Sequence, residues 1–128
     1  MYRLILVDDE AIIREGISRV VPWGKNGFEL AGLFEHGEKA LDYLEKNPVD
    51  IVITDINMPR MDGLTLSRII AERFPRIMVL LLSGYDDFEY AQEALKNQVR
   101  DFLLKPITAD ELQEILARVR AELNQNRE

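Results

Sequence analysis

Three short apolar runs punctuate the chain: Leu4-Ile5-Leu6-Val7, Ile51-Val52-Ile53 and Ile77-Met78-Val79-Leu80-Leu81-Leu82. Each is continuous rather than alternating, the pattern of strands covered on both faces of a parallel sheet. Two weaker runs, residues 28–34 and 102–104, carry more polar or small residues and suit less central strands. The intervening segments have helical spacing. Ile13, Ile17, Val20 and Val21 share one face, as do Leu66, Ile69, Ile70 and Phe74, and Leu112, Ile115, Leu116, Val119 and Leu123 recur at three or four. Thr108 with Glu111 forms a capping box at the start of the last helix, and Asp86 with Glu89 offers a similar start for a helix running to about residue 96. The pattern predicts β-α repeated five times: an α/β, five-stranded parallel sheet with helices on both faces, for which the flavodoxin-like order 2-1-3-4-5 is adopted as a common doubly wound arrangement.

A chain of 128 residues matches one domain, placed here at residues 1–123. Residues 124–128 read as a polar tail or the start of a linker. A hydrophobic content of 47% excludes disorder. No apolar run approaches the roughly 20 residues that span a bilayer, and Met1-Tyr2-Arg3 leads into a strand without a signal-peptide cleavage site. The absence of cysteine removes disulfides and thiolate metal sites and fits a cytoplasmic location. A net charge of -7 opposes direct nucleic-acid binding through bulk electrostatics.

Chemistry collects where strands end: Asp8-Asp9-Glu10 after the first, Asp55 after the third, Ser83-Gly84 after the fourth and Lys105-Pro106 after the fifth. Ligands of open α/β sheets bind beyond the carboxyl ends of strands, where strand order reverses. In order 2-1-3-4-5 that point lies between strands one and three, so Asp8, Asp9 and Asp55 converge. Two unit charges about 4 Å apart cost roughly 4 kcal/mol at an effective dielectric near 20. A compensating cation is needed, and oxygen ligands without His or Cys select a hard metal such as Mg²⁺. Lys105 supplies a point charge for a phosphoryl oxygen or for Asp55, and Ser83 a hydroxyl able to follow that oxygen.

The segments VDDE, TDINMPRMDG around Asp55, LLSGYDD and LLKP resemble the response-regulator receiver domains of bacterial two-component systems. The resemblance covers essentially the whole chain. It implies that Asp55 accepts a phosphoryl group from a sensor histidine kinase, with Asp8, Asp9, Asp55 and the Asn57 carbonyl around Mg²⁺ and Lys105 on the phosphate. It further implies that Ser83 and Phe102 switch together, that Lys105-Pro106 is cis, and that a homodimer can form on activation. Residues 21–28 and 83–91 look like receivers of regulators carrying an AraC-type DNA-binding domain, an effector expected in the full-length protein. Asn97-Gln98-Val99-Arg100 departs from the small Gly-Ala turn common in the family.

Plainer roles compete at several positions. Asp is a common turn residue, so only the conjunction of Asp55 with Asp8, Asp9 and Lys105 marks a site. Glu10 reads as a helix cap or a solvent-facing acid, Asp50 as a strand start, Asp62-Gly63 as a turn opening a helix, His36 as surface and Trp23 as loop packing. An aspartyl-phosphate phosphohydrolase would need its second acid two residues after the nucleophile on strand one, together with a cap insertion. An FMN carrier would need a Gly/Ser/Thr phosphate loop where Asp8-Asp9-Glu10 stand. The remaining alternative is a receiver-like interaction module that works without phosphorylation. The expected role is a signalling domain that assists its own phosphorylation and dephosphorylation, not an enzyme acting on other substrates.

Overall fold

The continuous apolar runs become central strands because helices cover both faces of the sheet. The structure is a computed structural model that describes residues 1–96 and 98–126. Its strands are β1 (Tyr2–Val7), β2 (Phe28–Phe34), β3 (Ile51–Asp55), β4 (Met78–Ser83) and β5 (Asp101–Leu104), all parallel, in the order β2-β1-β3-β4-β5. The helices are α1 (Ala11–Val20), α2 (Gly37–Lys46), α3 (Gly63–Arg73), α4 (Phe88–Ala94) and α5 (Ala109–Asn126), with a short 3₁₀ turn at Gly24–Asn26. The expected architecture and strand order are the observed ones.

Along β1 and β3, and at Val79, Leu80 and Leu82 of β4, alternate residues serve opposite cores, as the period of two requires. Leu4, Leu6, Ile51, Ile53, Leu80 and Leu82 meet Leu112, Leu116, Val119 and Leu123 of α5, with Ile17 of α1 at the margin. Ile5, Val7, Val52 and Val79 meet Ala40, Leu41 and Leu44 of α2 and Leu66 and Ile70 of α3. A third cluster joins Ile56, Leu64 and Leu81 to Ala91 and Leu95, with half-buried Phe102 against it. Trp23 packs in the first core and donates its indole N–H to the Ser18 carbonyl at 3.0 Å.

Local signals succeed where side chain and backbone agree. Thr108 Oγ1 accepts from the Glu111 amide at 3.1 Å while the Glu111 carboxylate accepts from the Thr108 amide at 3.2 Å, the expected reciprocal cap. Asp62 caps α3 by accepting from the Thr65 amide at 2.8 Å, and His36 caps α2 through Nδ1, accepting from the Lys39 amide at 3.4 Å.

Four expectations shift. Asp86 does not cap α4: Asp87 holds the N-cap position, and its side chain makes no bond to the helix. That helix ends at Ala94, short of residue 96. Val20 is exposed at the end of α1, and Val21 is buried only because the chain leaves the helix there in extended conformation. Finally, α5 continues through Asn126, anchored by buried Leu123 and by the Tyr2 hydroxyl, which donates to Asn124 Oδ1. Asn97, in the turn expected to depart from the family, and Arg127 and Glu128 lie outside the described residues. Among the described residues, no helix is long and apolar enough to cross a membrane.

Candidate functional site

The carboxyl edge of the sheet gathers the chemistry because four strands end there side by side. Asp8 directly follows β1, and its amide continues the ladder to Phe34 O at 3.0 Å. Asp55 is the last residue of β3, in register with Leu82, and Ser83 is the last of β4. Lys105 directly follows β5, fixed to β4 by its amide bond to Ser83 O at 2.8 Å. The Lys105-Pro106 peptide is cis.

Asp8 and Asp55 are buried, and one cation serves both. Lys105 Nζ stands 2.9 Å from Asp55 Oδ1, 3.2 Å from Asp8 Oδ2 and 3.9 Å from Glu10 Oε1. Asp55 Oδ1 also accepts from the Ile56 amide at 2.9 Å, and Asp8 Oδ1 from the Glu10 amide at 2.9 Å. Burial pushes the Asp55 carboxyl above its ordinary range; the Lys105 hydrogen bond pulls it back, and the nearby Asp8 charge pushes it up again. Burial works against the Lys105 ammonium, but the bonds and charges of Asp55 and Asp8 outweigh it and hold its pKa above the usual value.

Carboxylate oxygens of Asp8, Asp9, Glu10 and Asp55 lie within 4.8 Å of one another. One lysine cannot neutralise four acids at that separation. An all-oxygen, anionic set suits a hard divalent cation. The hydroxyl of Ser83 is buried and has no hydrogen-bond partner among the described residues. Such a group costs about 1–3 kcal/mol when left unpaired, and at the end of β4, beside Asp55, it fits an incoming oxygen ligand.

Sequence reasoning placed Asp8, Asp9, Asp55, Ser83 and Lys105 at this edge, and the structure brings them there. Asn57 sits on the exposed loop two residues past Asp55, and Phe102 on β5 is in register with Leu81. Three contributors were missed or undervalued. Glu10 makes no cap bond to α1, and its carboxylate instead joins the acid cluster. Gly63 is more than a turn residue: a Cβ there would stand 2.1 Å from Asp55 O. Arg14 donates to the Asp8 carbonyl at 2.5 Å and pins the turn that carries the acids. The glycine had a sequence signal in Asp62-Gly63, but only packing reveals what it accommodates.

The family signature described as the response regulator receiver domain matches residues 4–117. This chain belongs to the response-regulator receiver family. The receiver is 40% identical over 119 residues to the transcriptional regulatory protein HptR of Staphylococcus aureus, covering 93% of this chain and 46% of HptR. The chain therefore spans less than half the length of that relative. Among solved structures, it is similar to the REC domain of AraT, a response regulator from Geobacillus stearothermophilus, at TM-score 0.92 and 41% identity, covering 99% of this chain and 98% of that one. It is also similar to a two component transcriptional regulator AraC from Clostridium phytofermentans, at TM-score 0.91 and 31% identity, covering 99% and 98%. The likeness to receivers of AraC-type regulators, drawn from residues 21–28 and 83–91, holds. A receiver is a signalling domain rather than a classical enzyme. The family binds Mg²⁺ at an acidic pocket, and this receiver carries an acidic cluster of that kind. The family also implies a sensor kinase as partner and, in transcriptional regulators, an effector domain.

Proposed function

We propose that this receiver takes one phosphoryl group onto Asp55 from a phosphohistidine of a sensor kinase and relays the change to an effector domain. The observation that carries the reading is Lys105 Nζ at 2.9 Å from a buried Asp55, inside a cluster whose negative charge exceeds what one lysine can balance. An Asp55 carboxylate oxygen attacks phosphorus in line. The phosphorus–nitrogen bond breaks, its electron pair stays on the imidazole, and an acyl phosphate forms. Asp8 and Asp9, with Asp55 and the Asn57 carbonyl, are the residues that would hold Mg²⁺, which when bound offsets charge on the transferring oxygens. Lys105 exchanges its contact with Asp55 for a phosphoryl oxygen. Ser83 Oγ donates to another, and Phe102, packed against the cluster that contains Ile56 and Ala91, follows the loop. Hydrolysis returns the carboxylate when water attacks the same phosphorus and orthophosphate leaves, so the domain assists both directions of its own cycle.

The exposed apolar side of α1 supports a protein as phosphodonor. Ile12 and Val20 are exposed, and with Gly16, Lys105, Pro106 and Ile107 they line a groove. The effector would be an AraC-type DNA-binding domain following residues 124–128, the whole regulator acting in the cytoplasm and pairing as a homodimer once phosphorylated. Acetyl phosphate with Mg²⁺, followed by intact mass, tests the acceptor. One added phosphoryl group is expected for the wild type and none for Asp55→Asn; an equal label on that variant would move the acceptor elsewhere.

A further inference from the structure

The loops that follow β3 and β4 are joined by one side-chain bond. Asn57 Nδ2 donates to Asp87 Oδ2 at 2.6 Å, linking residues 30 positions apart. Both loops leave the sheet beside the acceptor: Asn57 is two residues after Asp55, and Asp87 four after Ser83. The charged acceptor makes this bond stronger than a neutral one.

Asp87 also holds the N-cap position of α4, yet its carboxylate makes no bond to the helix. Its backbone is helical, with φ -102° and ψ -8°, where capping residues are ordinarily extended. Asp62, at the equivalent position of α3, is extended and bonds the Thr65 amide at 2.8 Å. One carboxylate thus has two alternative uses, and here Asn57 has it. Meanwhile the Ser83 hydroxyl, on the last residue of β4 where this connection begins, has no partner among the described residues.

We propose that the Asn57–Asp87 bond is a clasp that holds the β4–α4 connection in the unphosphorylated arrangement, and that Asp87 passes from Asn57 to the α4 amides when that connection moves. This rests on reading Asp55 as the phosphoryl acceptor. Drawing Ser83 onto a phosphoryl oxygen displaces the segment that carries Asp87. The clasp opens, and capping of α4 replaces the lost bond. Clasp closure and phosphoryl binding are then linked, each opposing the other by the same factor.

The test uses beryllofluoride at saturating Mg²⁺ as the phosphoryl probe, with its dissociation constant read by calorimetry. Asn57→Ala opens the clasp while leaving Asp87 free to cap, so it should bind the probe about fivefold tighter, the margin by which a hydrogen bond to a charged acceptor exceeds the cap that replaces it. In an Asp87→Ala background the same substitution should change nothing, because both uses of the carboxylate are gone. An unchanged affinity in Asn57→Ala would overturn the clasp. So would an equal gain in the Asp87→Ala background, since Asn57 would then act directly on the bound group. Wild type that fails to bind beryllofluoride would overturn the acceptor reading and the clasp together, whereas wild-type binding with an unaffected Asn57→Ala removes the clasp alone.

Discussion

Replacing Lys105 with Met removes a cation that touches both buried acids. At 2.9 and 3.2 Å, each contact is worth about 5 kcal/mol of gross attraction at an effective dielectric near 20. Desolvation offsets most of that, and breaking a buried pair generally costs about 3–5 kcal/mol net. The cost also has a ceiling. Asp55 can take up a proton instead, and from its ordinary value of 3.8 that costs about 1.4 kcal/mol per pH unit, or about 4 kcal/mol at pH 7. The folded pKa of Asp55 already lies above 3.8, so protonation favours the fold fully below that value, and the benefit fades as pH rises through the folded pKa. Without Lys105 the folded pKa climbs further, and the fading extends toward neutrality. Metal-free Lys105→Met should therefore be about 3–4 kcal/mol less stable than wild type at pH 7 and within about 2 kcal/mol at pH 5. The raised Lys105 pKa contributes stability that is full below its ordinary 10.5 and is lost only as pH rises beyond it, so it adds no pH dependence inside this window. Urea unfolding in EDTA at several pH values measures the gap. A pH-independent gap, or one below about 1 kcal/mol at pH 7, would show that Lys105 does not neutralise these acids.

Other substitutions probe separate parts of the site. Ser83→Ala removes a buried hydroxyl that has no partner among the described residues, so the metal-free domain should be as stable as wild type or up to about 1 kcal/mol more stable by urea unfolding. It should still take phosphate, but lose the long-range amide shifts that beryllofluoride induces; retained shifts would remove Ser83 from the switch. Gly63→Ala places a methyl against the Asp55 carbonyl and should cost at least about 2 kcal/mol in the same measurement while slowing labelling by acetyl phosphate. A neutral effect would mean that the turn relaxes freely. Because Asp9 is exposed, Asp9→Asn should raise metal-free stability by less than about 1 kcal/mol, yet gain less than wild type from added Mg²⁺ in thermal melts. Equal Mg²⁺ stabilisation of the two would exclude Asp9 as a ligand.

Much of this receiver was legible in one dimension. Continuous apolar runs such as Leu4-Ile5-Leu6-Val7 have one stable placement, between two helical layers, because burying both faces of a strand requires both to be apolar. From the strand order, the convergence of Asp8, Asp55, Ser83 and Lys105 follows from topology, since parallel strands all end on one edge. Thr108 and Glu111 capped as expected because both halves of that interaction lie three residues apart.

Tertiary structure decided what depends on partners distant in sequence. Asp86 and Glu89 carried the same capping signal as Thr108 and Glu111. It failed because Asp87 took the N-cap position with its carboxylate turned to Asn57, 30 residues earlier. Glu10 read as a cap or a solvent-facing acid; it makes no cap bond and is exposed, yet its carboxylate lies with the acids of β1 and β3, and only the folded edge brings them within 4.8 Å. The need for glycine at position 63 comes from the Asp55 carbonyl against α3, a contact that no local pattern encodes. Which residues reach the edge was readable along the chain, because strand periodicity and chain order are local properties. Which carboxylate holds which partner was settled only by packing, because hydrogen bonds act over about 3 Å in space whatever the separation along the chain.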